Sequence, residues 1–200
     1  MRTQVLVLVL LSASLSAFAL DKDTPLKLSY DPLPSGWQEA TLDKSRGDAA
    51  ALLLNSGSVS GPVSVHKSIG VFFPSPSEVK KLLRTEASKS KGMNACGGRY
   101  TANRSIAEQG AFQGNPASVL RNERTEYGGD SPFADKIKGY FAYAELRTEF
   151  IFEVNKVPVK VGCITILTRS VSSYDGASEF IKNAVPGLLS DARSLHENEV

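Results

Sequence analysis

The strongest pattern in the chain is a pair of alternating segments that meet at a two-residue turn. Apolar and polar side chains alternate on both sides of Asn155 and Lys156. If these two residues form the turn, the facing pairs all lie on one side of the sheet, because side chains alternate with period two. Those pairs are Val154 with Val157, Phe152 with Val159, Phe150 with Val161 and Thr148 with Cys163. The pattern predicts an antiparallel hairpin over residues 140–168 with Cys163 on its buried face.

Two helices are predicted from apolar residues that recur at helical spacing. The first begins at Ser75, where Ser75 as N-cap and Glu78 three residues later make a capping box. We expect this helix to extend to Gly92, a residue type that commonly ends helices. The second carries one apolar stripe over residues 177–195, which predicts a helix packed on a sheet, with a kink at Pro186.

The other apolar segments are predicted to be strands, over residues 26–30, 50–54, 63–71 and 117–127. The last of these is the most polar, and we expect it near an edge of the sheet. Residues 55–61 and 128–132 are rich in glycine and serine, which predicts turns or loops. The fold class predicted is α+β, a single domain over residues 20–200 with a mostly antiparallel sheet packed by two main helices.

This order of elements resembles that of PsbP-like proteins, small sheet-and-helix domains related to an extrinsic photosystem subunit. Strands, a helix, an antiparallel run of strands and a final helix follow one another over most of residues 20–200. The resemblance is one of element order and includes no sequence motif. It implies a fold and carries no functional residue over to this chain.

The amino-terminal residues predict export. Arg2 is the only charge before Asp21, residues 5–11 are aliphatic, and small residues follow up to Ala17-Phe18-Ala19. A basic start, a short apolar stretch and a small-residue end are the marks of a secretory signal peptide. The apolar stretch is far shorter than the roughly 20 residues that span a bilayer. We expect cleavage after Ala19 and a protein that works in the periplasm or outside the cell.

Charge and cysteine content narrow the possible chemistry. The chain has 23 basic and 21 acidic residues, and this near balance argues against broad nucleic-acid binding. No later segment is apolar enough to span a membrane. The two cysteines, Cys96 and Cys163, lack the C-x-x-C spacing of redox and metal sites, which predicts one structural disulfide. We find no spacing typical of metal or phosphate binding and expect no cofactor.

Catalytic interpretations depend on two histidines. His196 lies near the carboxyl terminus, where helices fray, and is a poor candidate. His66 stands on a predicted strand between Ser64 and Ser68, and residues two apart on a strand share a face, so a nucleophile–base pair is geometrically allowed. Serines on a solvated strand face are nevertheless much more common than such a pair.

The one positive anomaly is a basic segment. Between Lys67 and Arg104 the chain has eight basic and two acidic residues. Four of the basic residues lie off the apolar stripe of the first predicted helix: Lys80, Lys81, Arg84 and Lys91. They form either a binding patch for an acidic protein, a glycan or an anionic lipid, or the solvated face of an ordinary helix.

Three functions therefore stay open. Export, small size, one disulfide and the absence of a recognisable catalytic set favour a periplasmic, non-enzymatic protein that binds another protein, such as an inhibitor or immunity protein against an envelope-targeting enzyme. The second is a small-ligand or envelope-maintenance module with a cleft between sheet and helix. The third is a hydrolase of unfamiliar type around His66.

Overall fold

A long antiparallel sheet organises the computed structural model, which describes residues 8–9, 29–30, 35–40, 49–60, 62–94, 97–112, 114–128, 140–154, 156–171 and 175–197. The strands are β1 Leu8–Val9, β2 Ser29–Tyr30, β3 Trp37–Glu39, β4 Ala49–Ser60, β5 Val63–Phe72, β6 Ser88–Met93, β7 Arg99–Arg104, β8 Glu108–Phe112, β9 Asn115–Tyr127, β10 Tyr140–Val154 and β11 Val157–Val171. The helices are α1 Pro76–Leu83 and α2 Ala177–Glu197. The predicted α+β class is confirmed.

Neighbouring strands of the main sheet follow the order β3-β4-β5-β11-β10-β9-β7-β6. β8 pairs with the beginning of β9 and β7 with its end, while β1 and β2 pair separately. β9 lies near an edge of the described sheet, as expected, but it is not an edge strand, because β8 pairs with its beginning, β7 pairs with its end and β6 lies beyond β7. Its charged side chains are accommodated by partners, as in the pairing of Glu123 with Arg193 of α2 and of Arg121 with Glu108 of β8.

The predicted hairpin is confirmed in every pair. Val154 faces Val157 and Thr148 faces Cys163, with the intermediate pairs as expected. Lys156 has φ +66°, the left-handed conformation that tight hairpin turns require. β10 and β11 each contain 15 residues and form the centre of the sheet.

The first helix begins as predicted and ends much earlier. The Ser75 hydroxyl accepts a hydrogen bond of 3.3 Å from the Glu78 amide, and the Glu78 carboxylate accepts one of 2.7 Å from the Ser75 amide. α1 ends at Leu83, and the following segment is strand β6 instead of more helix. Gly92 therefore has another function: a Cβ atom there would lie 3.1 Å from the ring of Tyr100 on β7.

The predicted loop over residues 55–61 is also corrected. β4 continues to Ser60 and stays paired with β5 up to the pair of Ser60 with Val63. The serines accept this conformation because the long neighbouring strand offers partners, as where the Ser58 hydroxyl donates to the Val63 carbonyl at 3.2 Å. Pairing with β5 thus outweighs the weak strand propensity of glycine and serine.

One face of the sheet holds two apolar clusters. The first lies toward the β10–β11 turn and includes Leu53, Phe150 and Val161. The second lies under α2 and joins Ala144 and Leu167 of the sheet to the buried helix residues Ala177, Ile181, Leu188, Ala192 and His196. The predicted packing of the second helix is confirmed, and α2 continues through Pro186. Among the described residues no helix is long and apolar enough to cross a bilayer.

Candidate binding surface

The four basic residues identified in the sequence lie in two places. Lys80 and Lys81 are exposed on α1, and Arg84 is the C-cap of that helix. Lys91 is exposed on β6 and borders a cleft beside α2. Because α1 ends before Arg84, the four residues do not share one helix face, as the longer predicted helix required.

α1 and β6 are both little buried. None of the eight residues of α1 is buried, although Val79, Leu82 and Leu83 form an apolar stripe, and Leu83 is 39% exposed. All six residues of β6 are exposed, with Met93 63% exposed. We call α1, Arg84 and β6 the edge surface. It presents apolar side chains and unpaired cations together.

A cleft of about 540 Å³ separates α2 from β6 and β7. Residues of β6 and β7 that alternate toward α2 form the sheet side of the cleft. Lys91 faces Thr101 across the strand pair, and Met93 faces Arg99. Lys182, Val185 and Pro186 form the helix side. We call this space the α2 cleft.

The α2 cleft is cationic. Lys91, Arg99 and Lys182 line it, and none of the described lining residues is acidic. Within the described residues Lys91 and Arg99 have no ion pair. Lys182 lies 3.8 Å from Glu179, but both side chains are more than half exposed, so this pair neutralises little charge. Arg99 and Lys182 were not identified from the sequence, because only the docking of α2 beside β7 brings them to Lys91.

The opposite face of the sheet carries a groove whose charges are largely paired. Arg124 Nη2 lies 2.9 Å from Glu126 Oε2, and its guanidinium stacks 4.7 Å from the centre of the Tyr100 ring. Lys160 Nζ lies 3.6 Å from Glu149 Oε1. The hydrogen bond from Arg124 to Glu126 raises the pKa of the guanidinium. We call this the charged groove.

A second network in the charged groove centres on Glu145. The Tyr143 hydroxyl donates to Glu145 Oε2, and Arg147 Nη2 donates to Glu145 Oε1 at 3.2 Å. Burial, followed by the charge of Glu145, raises the pKa of the Tyr143 hydroxyl far above its usual range. This tyrosine therefore serves as a hydrogen-bond donor and not as an acid or base.

His196 is not at a frayed terminus, and the expectation for it was wrong. Its side chain is 6% exposed and lies under the last turn of α2. Nε2 lies 2.8 Å from Thr148 Oγ1, and Nδ1 lies 2.9 Å from Thr165 Oγ1. Burial, then the charges of Lys67 and Arg121, lower the pKa of this imidazole to about 4. A neutral ring donates to one threonine and accepts from the other, which fixes the end of α2 on β10 and β11.

The spacing of the apolar residues in α2 could have identified His196 as a buried residue. It follows Leu188 and Ala192 at intervals of four, so it continues the buried stripe of α2. A cavity of about 350 Å³ lies beside it, lined among others by Thr148, Arg193 and His196. The imidazole is oriented by two hydroxyl groups and not by a carboxylate, so it lacks the third group of a triad.

His66 has a serine partner other than those considered from the sequence. Ser56 Oγ on β4 lies 2.7 Å from His66 Nδ1 across the strand pair, whereas Ser64 and Ser68 are not bonded to it. In the described part of the chain no carboxylate hydrogen-bonds to the His66 ring. The three clefts described above are lined by other residues. Over the same residues no three potential metal ligands cluster.

The predicted disulfide falls partly outside the described residues. Cys163 is buried on β11 as expected, but Cys96 is not described, so the bond stays a prediction. On either side of the undescribed residues 95–96, the Gly97 amide donates to the Asn94 carbonyl at 3.1 Å.

No protein-family model matches this chain, and no curated protein matches it.

Proposed function

We propose that this chain is an exported, non-enzymatic binding protein that holds an acidic protein partner on the edge surface. An inhibitor or immunity protein of an envelope-targeting enzyme would have this form. The observation that carries the proposal is the unburied apolar stripe of α1 beside unpaired cations. A helix of this kind gains most of its stability from packing, and in the described fold α1 has no buried residue, since Val79 and Leu82 are only half-buried and Leu83 is exposed.

The chemistry of the partner follows from the surface. Val79, Leu82 and Leu83 offer an apolar strip one helix face wide, suited to a shallow hydrophobic groove. Lys80 and Lys81 flank that strip without ion pairs among the described residues. The complementary surface is therefore an apolar groove with carboxylates at its rim. Cationic side chains around the apolar strip speed its encounter with an acidic partner and disfavour partners of like charge.

The hydrolase interpretation has less support. His66 contacts a serine, but no carboxylate orients the ring in the described residues, and His196 has its two nitrogens bonded to buried threonines. Neither pair combines a base, an orienting acid and a cleft. Binding therefore accounts for more of the observed geometry than catalysis does.

The test is capture of a partner from an envelope extract by the mature protein, followed by binding measurements with variants. Lys81→Glu is the test variant and Lys156→Glu, in the β10–β11 turn, is its control with the same charge change. Leu83→Ser tests the apolar strip. We expect Lys81→Glu and Leu83→Ser to weaken binding about tenfold, which corresponds to about 1.4 kcal/mol, and Lys156→Glu to have no effect. Equal affinity of all four proteins for the captured partner would refute the edge surface as its site.

A further inference from the structure

The α2 cleft has the composition of a small-molecule site, and this inference stands independently of the proposed protein partner. Its volume of about 540 Å³ lies within the range of roughly 300–1,000 Å³ that ligand pockets occupy. Its walls come from four elements, β6, β7, β9 and α2, of which α2 is docked by buried residues such as Ile181 and Leu188. A rigid helix thus forms one wall and an edge strand forms the other.

The cations that line the cleft indicate a negatively charged group on the ligand. Three positive side chains, Lys91, Arg99 and Lys182, converge on a space with no acidic lining residue in the described chain. Grouping like charges has an energetic cost unless an anion enters among them. An arginine with two lysines is well suited to a carboxylate, because guanidinium binds the two oxygens together and ammonium groups add charge.

The apolar residues that line the cleft indicate a hydrocarbon part of the ligand. Val185 and Pro186 of α2 face Met93 and Tyr127 across the cleft, and Tyr127 also packs against the apolar cluster under α2. Pro186 contributes a side chain without a backbone donor at that position, so the helix wall there is apolar. Such a surface suits a hydrocarbon or aromatic body and gives little to a bare inorganic anion.

We propose that the α2 cleft binds an amphipathic carboxylate, a molecule with one anionic head and a short apolar tail. The head lies among Lys91, Arg99 and Lys182, and the tail lies against Val185 and Met93. A fatty acid of medium length has this chemistry, as does an aryl carboxylate. A free phosphate shares only the charge and lacks the tail.

The experiment uses decanoate as the probe and NMR amide shifts of the whole mature protein as the readout. Titration should shift amides of β6, β7 and the middle of α2 in a saturable way. Decyltrimethylammonium, which has the same tail and the opposite charge, should shift none of them, and inorganic phosphate should bind at least tenfold more weakly than decanoate. Equal binding of phosphate and decanoate would overturn the apolar half of the proposal, and binding of the cationic analogue would overturn the anionic half.

Two variants localise the site. Lys91→Glu with Arg99→Glu should raise the decanoate Kd tenfold or more, whereas Lys156→Glu in the β10–β11 turn should leave it unchanged. Thr101→Trp fills the cleft from an exposed position on β7 without a change in charge, and it should also abolish binding. Unchanged melting temperatures show that the variants are folded. If neither cleft variant weakens binding, the ligand lies elsewhere and the proposal fails, whatever the outcome for a protein partner.

Discussion

At the scale of single residues, His196 connects the docking of α2 to pH. Its folded-state pKa is about 4 because the ring is buried near Lys67 and Arg121, whereas histidine in an unfolded chain titrates near 6.5. Between these two values the unfolded chain binds a proton that the folded chain does not. Stability from this residue is therefore complete above about pH 6.5 and is lost as the pH falls toward 4.

We predict that His196 alone lowers the free energy of unfolding by about 3 kcal/mol between pH 7 and pH 4. Urea denaturation at several pH values measures the slope of the free energy of unfolding against pH. His196→Gln, whose amide retains hydrogen-bonding groups for both threonines, should remove that part of the slope. His66→Gln is the matched control and should retain it, because this variant leaves His196 and its two threonine partners in place. An identical slope for His196→Gln and the unchanged protein would contradict the prediction.

Cys163 is the second residue with a measurable consequence. It faces Thr148 on the buried side of the central hairpin, so Cys163→Ser places a hydroxyl there and removes any cross-link. We predict a loss of about 2–5 kcal/mol if the bond to Cys96 exists. The intact mass of the exported protein should correspond to a chain that begins at Leu20. With the disulfide, it should lie about two protons below the mass of the reduced chain.

Cys96→Ser separates the two effects of Cys163→Ser on stability, which are the buried hydroxyl and the loss of a cross-link. With a disulfide, both substitutions remove the same cross-link and both destabilise the protein. Without one, Cys96→Ser leaves the melting temperature unchanged and only Cys163→Ser lowers it. Two free thiols in the exported protein would refute the predicted bond.

At the scale of elements, α1 and α2 differ in what stabilises them. α1 depends on its capping box, in which the Ser75 hydroxyl also donates to the Glu78 carboxylate and lowers the pKa of Glu78. α2 depends on burial, with Ile181 and Ala192 fully covered by the sheet. The first is held by local hydrogen bonds and the second by the core, so their responses to substitution should differ.

We predict that Ser75→Ala costs α1 about 1 kcal/mol locally and leaves global unfolding almost unchanged. Hydrogen exchange at the Val79 amide, which donates to the Ser75 carbonyl at 3.0 Å, should become faster. Ile181→Ala is the contrasting variant and should cost about 2–5 kcal/mol in denaturant unfolding. A large global loss from Ser75→Ala would mean that α1 is packed more firmly than its exposure indicates.

The same contrast explains which elements could be predicted from the sequence. The hairpin of β10 and β11 and the helix α2 were predicted correctly because their burial imposes a clear period on the apolar residues. β6, β7 and β8 were missed, since they are short and polar and are held by strand pairing, β7 and β8 with β9 and β6 with β7. The predicted first helix was extended into β6 by apolar residues at helical spacing up to Ala87 and by Gly92 as its expected end, because serine and lysine in between give no period that separates helix from strand.

The candidate site was predicted only in part, for a related reason. Lys80, Lys81, Arg84 and Lys91 were identified from local charge, which is visible along the chain. The grouping of Lys91 with Arg99 and Lys182 depends on contacts between distant segments. Such convergence follows from sheet order and helix docking, neither of which a local pattern specifies.

At the scale of the whole molecule, the small net charge of +2 conceals an uneven distribution. The charged groove is largely neutralised by its own ion pairs, whereas the cations of the edge surface have no ion pair within the part of the chain that the structure describes. We predict that changing Lys80, Lys81 and Arg84 together to glutamate slows association with the partner about tenfold at low salt, with a smaller change in dissociation.

Rate measurements at low and high salt check this prediction. Raising the ionic strength should slow association of the unchanged protein, because screening shortens the reach of exposed charges. The melting temperature of the triple variant should stay close to that of the unchanged protein, since all three residues are exposed. Association that responds to neither salt nor charge reversal would mean that these cations do not guide the partner.

The exposed position of β6 at the end of the described sheet has a further consequence, for self-association. A terminal strand presents unpaired amide and carbonyl groups that a second copy of the same chain could extend into a continuous polymer. Lys89 and Lys91 stand on β6 and would face their own counterparts across such a junction, where like charges repel. Replacing both lysines with valine removes that repulsion and raises the β propensity of β6. We therefore expect this variant to form fibrils or soluble oligomers more readily than the natural sequence.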